Sequence, residues 1–272
     1  MNHTLSKLLC NIFFVFASFL AKGSDTTLLA SHAGENVTVP LTTNMVRPSN
    51  VIYPVCLQKS KDQSLEFVRN FSKKKRAYLI DTYQKGKKFF PQAAAILKQY
   101  NLPQELKVLV AIESGFNANA VSGAGAVGYW QIMDEAAKEY GLRIADHRPS
   151  NKPCKIRDDR RNFAKSTVAA AQYMRDRGRN LNDDPLLIVA SYNCGLGKIF
   201  QAIKKSGKAV PTFWDIKKYL PNETKSYVMN FIALSVIYEN YDNFLSNQLL
   251  FNPQTIEVPV PDITKQQSLL TD

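Results

Sequence analysis

Histidine and cysteine are both scarce: the 272 residues hold three scattered histidines (His3, His32, His147) and four cysteines, with no CxxC pair. That scarcity argues against a His/Cys zinc site and the metal chemistry one would support, so no metal ligand is predicted. Long apolar runs are missing too. The run Leu8 to Leu20 is about 13 residues, short of the roughly 20 that a membrane-spanning helix needs. Acidic residues are in deficit, 23 Asp+Glu against 35 Lys+Arg, for a formal charge of +12. Nucleic acid, an anionic surface and an acidic polymer all stay open as partner classes on charge alone. The 45% apolar and 21% charged residues suffice for a globular core and exclude a disordered chain.

Residues 1–23 read as a secretory signal. Lys7 supplies the positive start, Leu8 to Leu20 the apolar stretch, and Ala21 and Gly23 the small residues before a cut at Ser24. Cys10 follows Leu8 and Leu9 rather than the small residue of a lipoprotein signal. An exported chain, in the periplasm or cell envelope, is expected. Cleavage would remove Lys7 and Lys22, leaving +10 and three cysteines, Cys56, Cys154 and Cys194. An oxidising compartment permits one disulfide, with Cys154 and Cys194 the preferred pair because both fall in the helical region described next; three unpaired thiols are the equal alternative.

Residues 24 to about 60 are rich in Thr, Asn, Val and Pro without helical period and predict a leader or extended arm. From Arg47 to Lys88 eleven basic residues face three acids, a local excess of +8. This segment is either a solvated helix face or a patch that holds the protein near an anionic polymer or membrane surface. Nucleic acid is not predicted as a partner, since no RNA-recognition or helix-turn-helix pattern is present. From about 92 to 245 the pattern turns helical, with Pro103, Gly141, Asp184-Pro185 and Gly195 as starts and stops. Asn222 can cap a helix whose Tyr227, Phe231, Leu234 and Tyr238 form a buried stripe. The predicted organisation is signal 1–23, N-terminal extension with the basic segment 24–91, helical domain 92–245 and tail 246–272.

One carboxylate lies on the wrong face. In a helix opened by Pro103, Glu113 falls about 20° from Leu106, 40° from Leu109 and 60° from Val110 at about 100° per residue. Carboxylates are seldom buried without a partner. Glu113 is therefore either a structural ion pair or a general acid whose pKa burial has raised. Close behind it, Ser122-Gly123-Ala124-Gly125-Ala126-Val127-Gly128-Tyr129-Trp130-Gln131-Ile132-Met133 places a Gly-rich loop before aromatic and amide groups. Such glycines allow close approach of backbone or ligand. Tyr129 and Trp130 could offer faces to sugar rings, and Gln131 a donor and an acceptor, unless the aromatics and Met133 are ordinary core.

Four ordered motifs, Glu113-Ser114-Gly115-Phe116, Ser122-x-x-Gly125-Ala126-x-Gly128-x-Trp130-Gln131-x-Met133, Ala190-Ser191-Tyr192-Asn193-Cys194-Gly195 and Glu223-Thr224-x-x-Tyr227-Val228, resemble those of soluble lytic transglycosylase catalytic domains. The membrane-bound lytic murein transglycosylase D type is the most similar subgroup, and Asp159-Arg160-Arg161 with Lys165-Ser166-Thr167 also fits it. The resemblance implies a mainly α, goose-lysozyme-like helical domain with a short Gly-rich loop or β-ribbon lining the cleft. It implies cleavage of the β-1,4 bond between N-acetylmuramic acid and N-acetylglucosamine in peptidoglycan, closing a 1,6-anhydro end, with no cofactor. On the same ground Glu113 is the acid/base, while Ser122, Gln131 and Met133 contact saccharide and Tyr192, Asn193 and Tyr227 line the cleft. One carboxyl suffices, unlike the two-carboxylate glycosidases. Glycan strands are the implied partner, retained either by the cleft itself or by electrostatic association of the basic segment with the anionic envelope surface.

Gly123, Tyr129 and Ile132 depart from the family's usual Pro, Leu and Phe, and the stretch 142–157 is longer than usual. A goose-type hydrolase would share the fold and Glu113 but call on further acids, for which only Asp158, Asp159, Asp183 and Asp184 stand near in sequence. A noncatalytic wall-binding scaffold would not need Glu113.

Overall fold

A computed structural model describes residues 42–144 and 157–259. The expected signal, residues 1–23, Cys154 and most of the long stretch 142–157 lie outside the described residues. Helices dominate: α1 (Lys61–Lys74), α2 (Arg76–Gly86), α3 (Phe90–Gln99), α4 (Leu109–Ser114), α5 (Asp134–Glu139), α6 (Phe163–Asn180), α7 (Pro185–Cys194), α8 (Leu196–Ser206), α9 (Phe213–Ile216), α10 (Asn222–Glu239) and α11 (Tyr241–Leu245), with short 3-10 turns at Val55–Ser60, Gln104–Val108, Asp159–Arg161 and Lys217–Tyr219. None of the described helices is long and apolar enough to cross a membrane.

The chain divides into two units, one of which contains Val51–Leu249. Its axis is α10, where Val228, Phe231, Ile232, Ala233, Leu234, Val236 and Ile237 are all fully buried. Apolar residues all round a helix, rather than on one stripe, mark a helix enclosed by others. Helices α1 and α7 pack on α10, and α3 packs on α6. Of the expected stripe, Tyr227, Phe231 and Leu234 are buried and Tyr238 is half-buried, and Pro221 rather than Asn222 takes the cap position, with extended backbone. Asp184 does cap α7, accepting from the amides of Leu186 and Leu187 at 2.8 and 3.0 Å.

The basic segment differs most from its prediction as part of an extension. Helices α1 and α2 belong to the compact unit, with Val68 and Leu79 fully buried. Arg76 donates to the carbonyls of Phe244 and Leu245 at 2.9 and 2.8 Å and sits 4.7 Å from the centre of the Phe244 ring. Asn240 exchanges hydrogen bonds with the backbone of Ile52, 2.9 Å from its amide and 2.6 Å from its carbonyl. The dense charges of this segment masked its buried apolar residues, so the sequence reading starts the helical domain at 92, whereas the compact unit includes residues from Val51 on.

The second unit joins the arm and the tail. Strand β1 (Thr42–Arg47) pairs antiparallel with β2 (Gln254–Pro259), Thr42 opposite Pro259 and Arg47 opposite Gln254. Two extended segments so far apart in sequence carry no local signal of pairing. Cys56 and Cys194 are free thiols among the described residues; Cys154, the preferred partner of Cys194, lies outside them.

Candidate active site

The stretch predicted as one helix after Pro103 changes pitch. Gln104–Val108 is a 3-10 turn and α4 begins at Leu109, so a uniform 100° wheel does not hold. Leu106, Leu109 and Val110 are nonetheless fully buried, and Glu113 follows them, partly covered, in the last turn of α4. The helix stops at Gly115, whose φ of 57° is the left-handed conformation that glycine adopts without strain.

Glu113 accepts a short hydrogen bond at Oε1 from the hydroxyl of Tyr227, on α10. Burial raises the carboxyl from 4.5 to about 7; the Tyr227 bond pulls it back down, and the charge of Glu223, one turn before Tyr227, adds to the rise. Burial and the nearby Glu113 charge push the Tyr227 phenol far up, so it remains a donor. The carboxyl is thus poised to hold a proton near neutrality and to release it. Among the described residues Glu113 has a hydrogen bond from Tyr227 and no ion pair.

The Gly-rich loop is folded by its own backbone. Val127 and Ile132 bond each other reciprocally at 3.1 and 3.2 Å, and Gly128 donates to Ala120 at 2.9 Å, with bridges Val121–Val127 and Val127–Ile132 forming the short ribbon expected at the cleft. Gly128, at φ 81°, lies so close to the Asp159–Arg161 turn that a Cβ there would meet the Arg160 carbonyl oxygen at 2.1 Å. Ser114 donates to the carbonyl of Tyr129 at 2.8 Å, fastening α4 to the loop beside Glu113.

Of the predicted saccharide contacts, Gln131, Met133 and Tyr192 line one cavity of about 310 Å³ with Tyr140, Tyr173 and Arg177. Gln131 holds φ 48°, a costly conformation for a residue with a Cβ, and its amide donates to Gly128 at 2.9 Å and Ala120 at 3.3 Å. Tyr192 donates to the carbonyl of Trp130 at 2.7 Å and feels the charge of Glu113, which is not itself on the cavity wall. Asn193 accepts from Thr224 at 2.7 Å, joining α7 to α10. Ser122 is absent from the cavity wall; its hydroxyl accepts the amide of Ala126 at 3.0 Å and shapes the loop.

The aromatics divide differently from expectation. Trp130 is fully buried and donates to Thr167 at 2.9 Å, while Tyr129 packs on Phe89 and Phe163. Trp130 therefore has no face open to a sugar, while Tyr129 is half-buried. Arg160, noted in sequence only as part of the Asp159-Arg160-Arg161 triplet, is fully buried; it forks onto Asp158 through Nε at 3.0 Å and Nη2 at 2.7 Å, pairs with Asp134 and donates to the Ile132 carbonyl at 3.3 Å. It pins the end of the loop to the start of α5. The other acids a hydrolase might have used are engaged as well: Asp159 with Lys165 and Arg143, Asp183 with Arg175, Asp184 at its cap.

Residues 91–212 match the family model of the Transglycosylase SLT domain. Membrane-bound lytic murein transglycosylase D of Escherichia coli (strain K12) is 36% identical over 183 residues, 66% of this chain and 37% of that protein. A protein named putative tributyltin chloride resistance protein, from Alteromonas sp. (strain M-1), is 30% identical over 129 residues, 47% of this chain and 58% of its own length. The chain therefore spans little more than a third of the first relative. An inactive mutant of lytic transglycosylase Slt from Pseudomonas aeruginosa aligns with a TM-score of 0.43 at 20% identity, over 69% of this chain and 30% of that one.

Proposed function

From the premise that residues 91–212 carry a Transglycosylase SLT domain, we propose that this protein is a peptidoglycan lytic transglycosylase with Glu113 as its acid/base. The observation that carries the proposal is a single carboxyl held by Tyr227 and pushed up by burial, whose charge reaches Tyr192 on the wall of a cavity shared with Gln131 and Met133. The neutral carboxyl of Glu113 protonates the glycosidic oxygen as the bond from C1 of the muramic residue breaks, and the N-acetylglucosamine leaves as an alcohol. The resulting carboxylate takes the proton of the muramic C6 hydroxyl as that oxygen closes onto C1. The proton gained equals the proton lost, and no water is consumed. The bond from Tyr227 stabilises the carboxylate between the two steps. Gln131, Met133 and Tyr192 hold the saccharide near the cut, and Ser122 and Asn193 fix the loop and α7 that carry them.

The engagement of Asp158, Asp159, Asp183 and Asp184 in other contacts supports the lyase over a hydrolase that would recruit one of them. Export through a signal at 1–23, placing the chain in the periplasm or cell envelope, and a tethering role for the basic flank belong to the same proposal. Glu113→Gln tests it: the folded variant is expected to lose about 10² to 10⁴ in rate, the usual worth of general acid catalysis. Near-normal turnover by the folded variant would overturn the assignment.

A further inference from the structure

We propose that Arg177 is an anchor for a carboxylate of the peptide stem, so that the cavity selects glycan strands bearing stems with free carboxylates. The inference rests on the peptidoglycan reading above and specifies which part of that polymer the cavity reads.

Arg177 stands in the last turn of α6 and lines the same cavity as Gln131, Met133 and Tyr192. Its guanidinium carbon lies 3.1 Å from the centre of the Tyr173 ring, and Nη1 reaches the Tyr173 carbonyl only at 3.4 Å. Its Nε is cut off from solvent and meets no acceptor among the described residues. The neighbouring arginines differ: Arg175 pairs with Asp183 and Arg179 with Asp176, whereas no carboxylate pairs with Arg177 among the described residues. A charged group placed against protein without a partner costs free energy that the stack on Tyr173 offsets only in part. A carboxylate entering the cavity is the ligand that pairs with the Nη groups of this guanidinium, which no acid of the described residues neutralises.

Two acids share the cavity wall, Glu135 and Glu139, both exposed. They would repel a plain dianion and attract an ammonium. An amino-acid group carrying carboxylate and ammonium on one carbon satisfies both ends, the carboxylate on Arg177 and the ammonium toward the two glutamates. Peptide stems can present such a group; the sugar backbone cannot. A lactyl carboxylate, freed when the stem is removed, shares the anionic chemistry but lacks the ammonium.

The test uses the full chain and Arg177→Gln on three substrates: strands with intact stems, strands whose stem carboxylates have been amidated, and strands stripped of stems. The wild type is expected to favour intact over amidated strands by about tenfold or more in kcat/KM, the order expected of a hydrogen bond to a charged group, through KM rather than kcat. Arg177→Gln should collapse that ratio toward one, and Arg177→Lys should restore part of it. Equal losses on intact and amidated strands, or none on either, overturn the proposal. A loss confined to stripped strands would assign Arg177 to the lactyl carboxylate and overturns it too. Binding of a soluble stem-bearing fragment to Glu113→Gln, with and without Arg177→Gln, gives a readout independent of turnover. Absence of cleavage of every strand by the wild type would instead sink the transglycosylase reading itself.

Discussion

Replacing Glu113 by Gln should stabilise the protein at pH 8 while disabling it. In the folded chain burial raises the carboxyl to about 7 from the ordinary 4.5, so the folded state binds this proton more tightly than the unfolded state does. Stability is therefore undiminished below about 4.5 and is lost progressively as pH rises through 7. At about 1.4 kcal/mol per pH unit, the interval from 4.5 to about 7 sets a ceiling of about 3.5 kcal/mol. Partial exposure of the cleft lowers that toward about 1–2 kcal/mol. Gln carries no charge to desolvate, and its side-chain oxygen can still accept from Tyr227. At about 2–4 °C per kcal/mol for a domain of this size, Glu113→Gln should melt several degrees above wild type at pH 8 and nearly level with it at pH 4.5. Thermal melts of both proteins across pH 4.5–8.5 check this. A difference that stays constant with pH, or a variant less stable than wild type at pH 8, would refute the buried, raised carboxyl.

Tyr227→Phe removes the bond that lowers the Glu113 pKa, so the alkaline limb of the kcat/KM profile should move to higher pH while the rate maximum falls; an unmoved limb would show that the bond does not act on the titrating group. Gly128→Ala forces a Cβ to within 2.1 Å of the Arg160 carbonyl at φ 81° and should lower the melting temperature and activity together, whereas Gly123→Ala, with nothing within 4 Å, should do neither. Arg160→Met leaves Asp158 buried without its partner and should cost about 3–5 kcal/mol, measured by urea denaturation. Lys73, Lys74 and Lys87 changed together to Gln should weaken pelleting with sacculi at low salt, with the difference fading as salt approaches the range where the Debye length is about 8 Å; Arg76 is left intact because it bonds Phe244 and Leu245.

Much of the site was legible because its signals are local. Glu113 stands among apolar neighbours, the glycines of 123–128 announce a tight loop, and Asp184-Pro185 marks a helix start. What escaped depends on contacts between distant residues. Trp130 looked as able to stack on a sugar as to fill the core, and only Thr167, 37 positions on, decides for the core. Arg160 lies in a charged triplet that reads as surface, yet its partners Asp134 and Asp158 make burial tolerable. Arg177 was indistinguishable from Arg175 and Arg179 until the paired carboxylates of those two were placed. The basic helices α1 and α2 showed their charges in sequence but not the apolar faces they bury.

The chemistry itself is tested most directly by the mass of the soluble products released from purified sacculi. The account predicts muropeptides ending in 1,6-anhydromuramic acid, lighter by one water than those with a reducing end, and none of them from Glu113→Gln. Products carrying reducing ends, with a water oxygen incorporated from labelled solvent, would contradict it and make the protein a hydrolase.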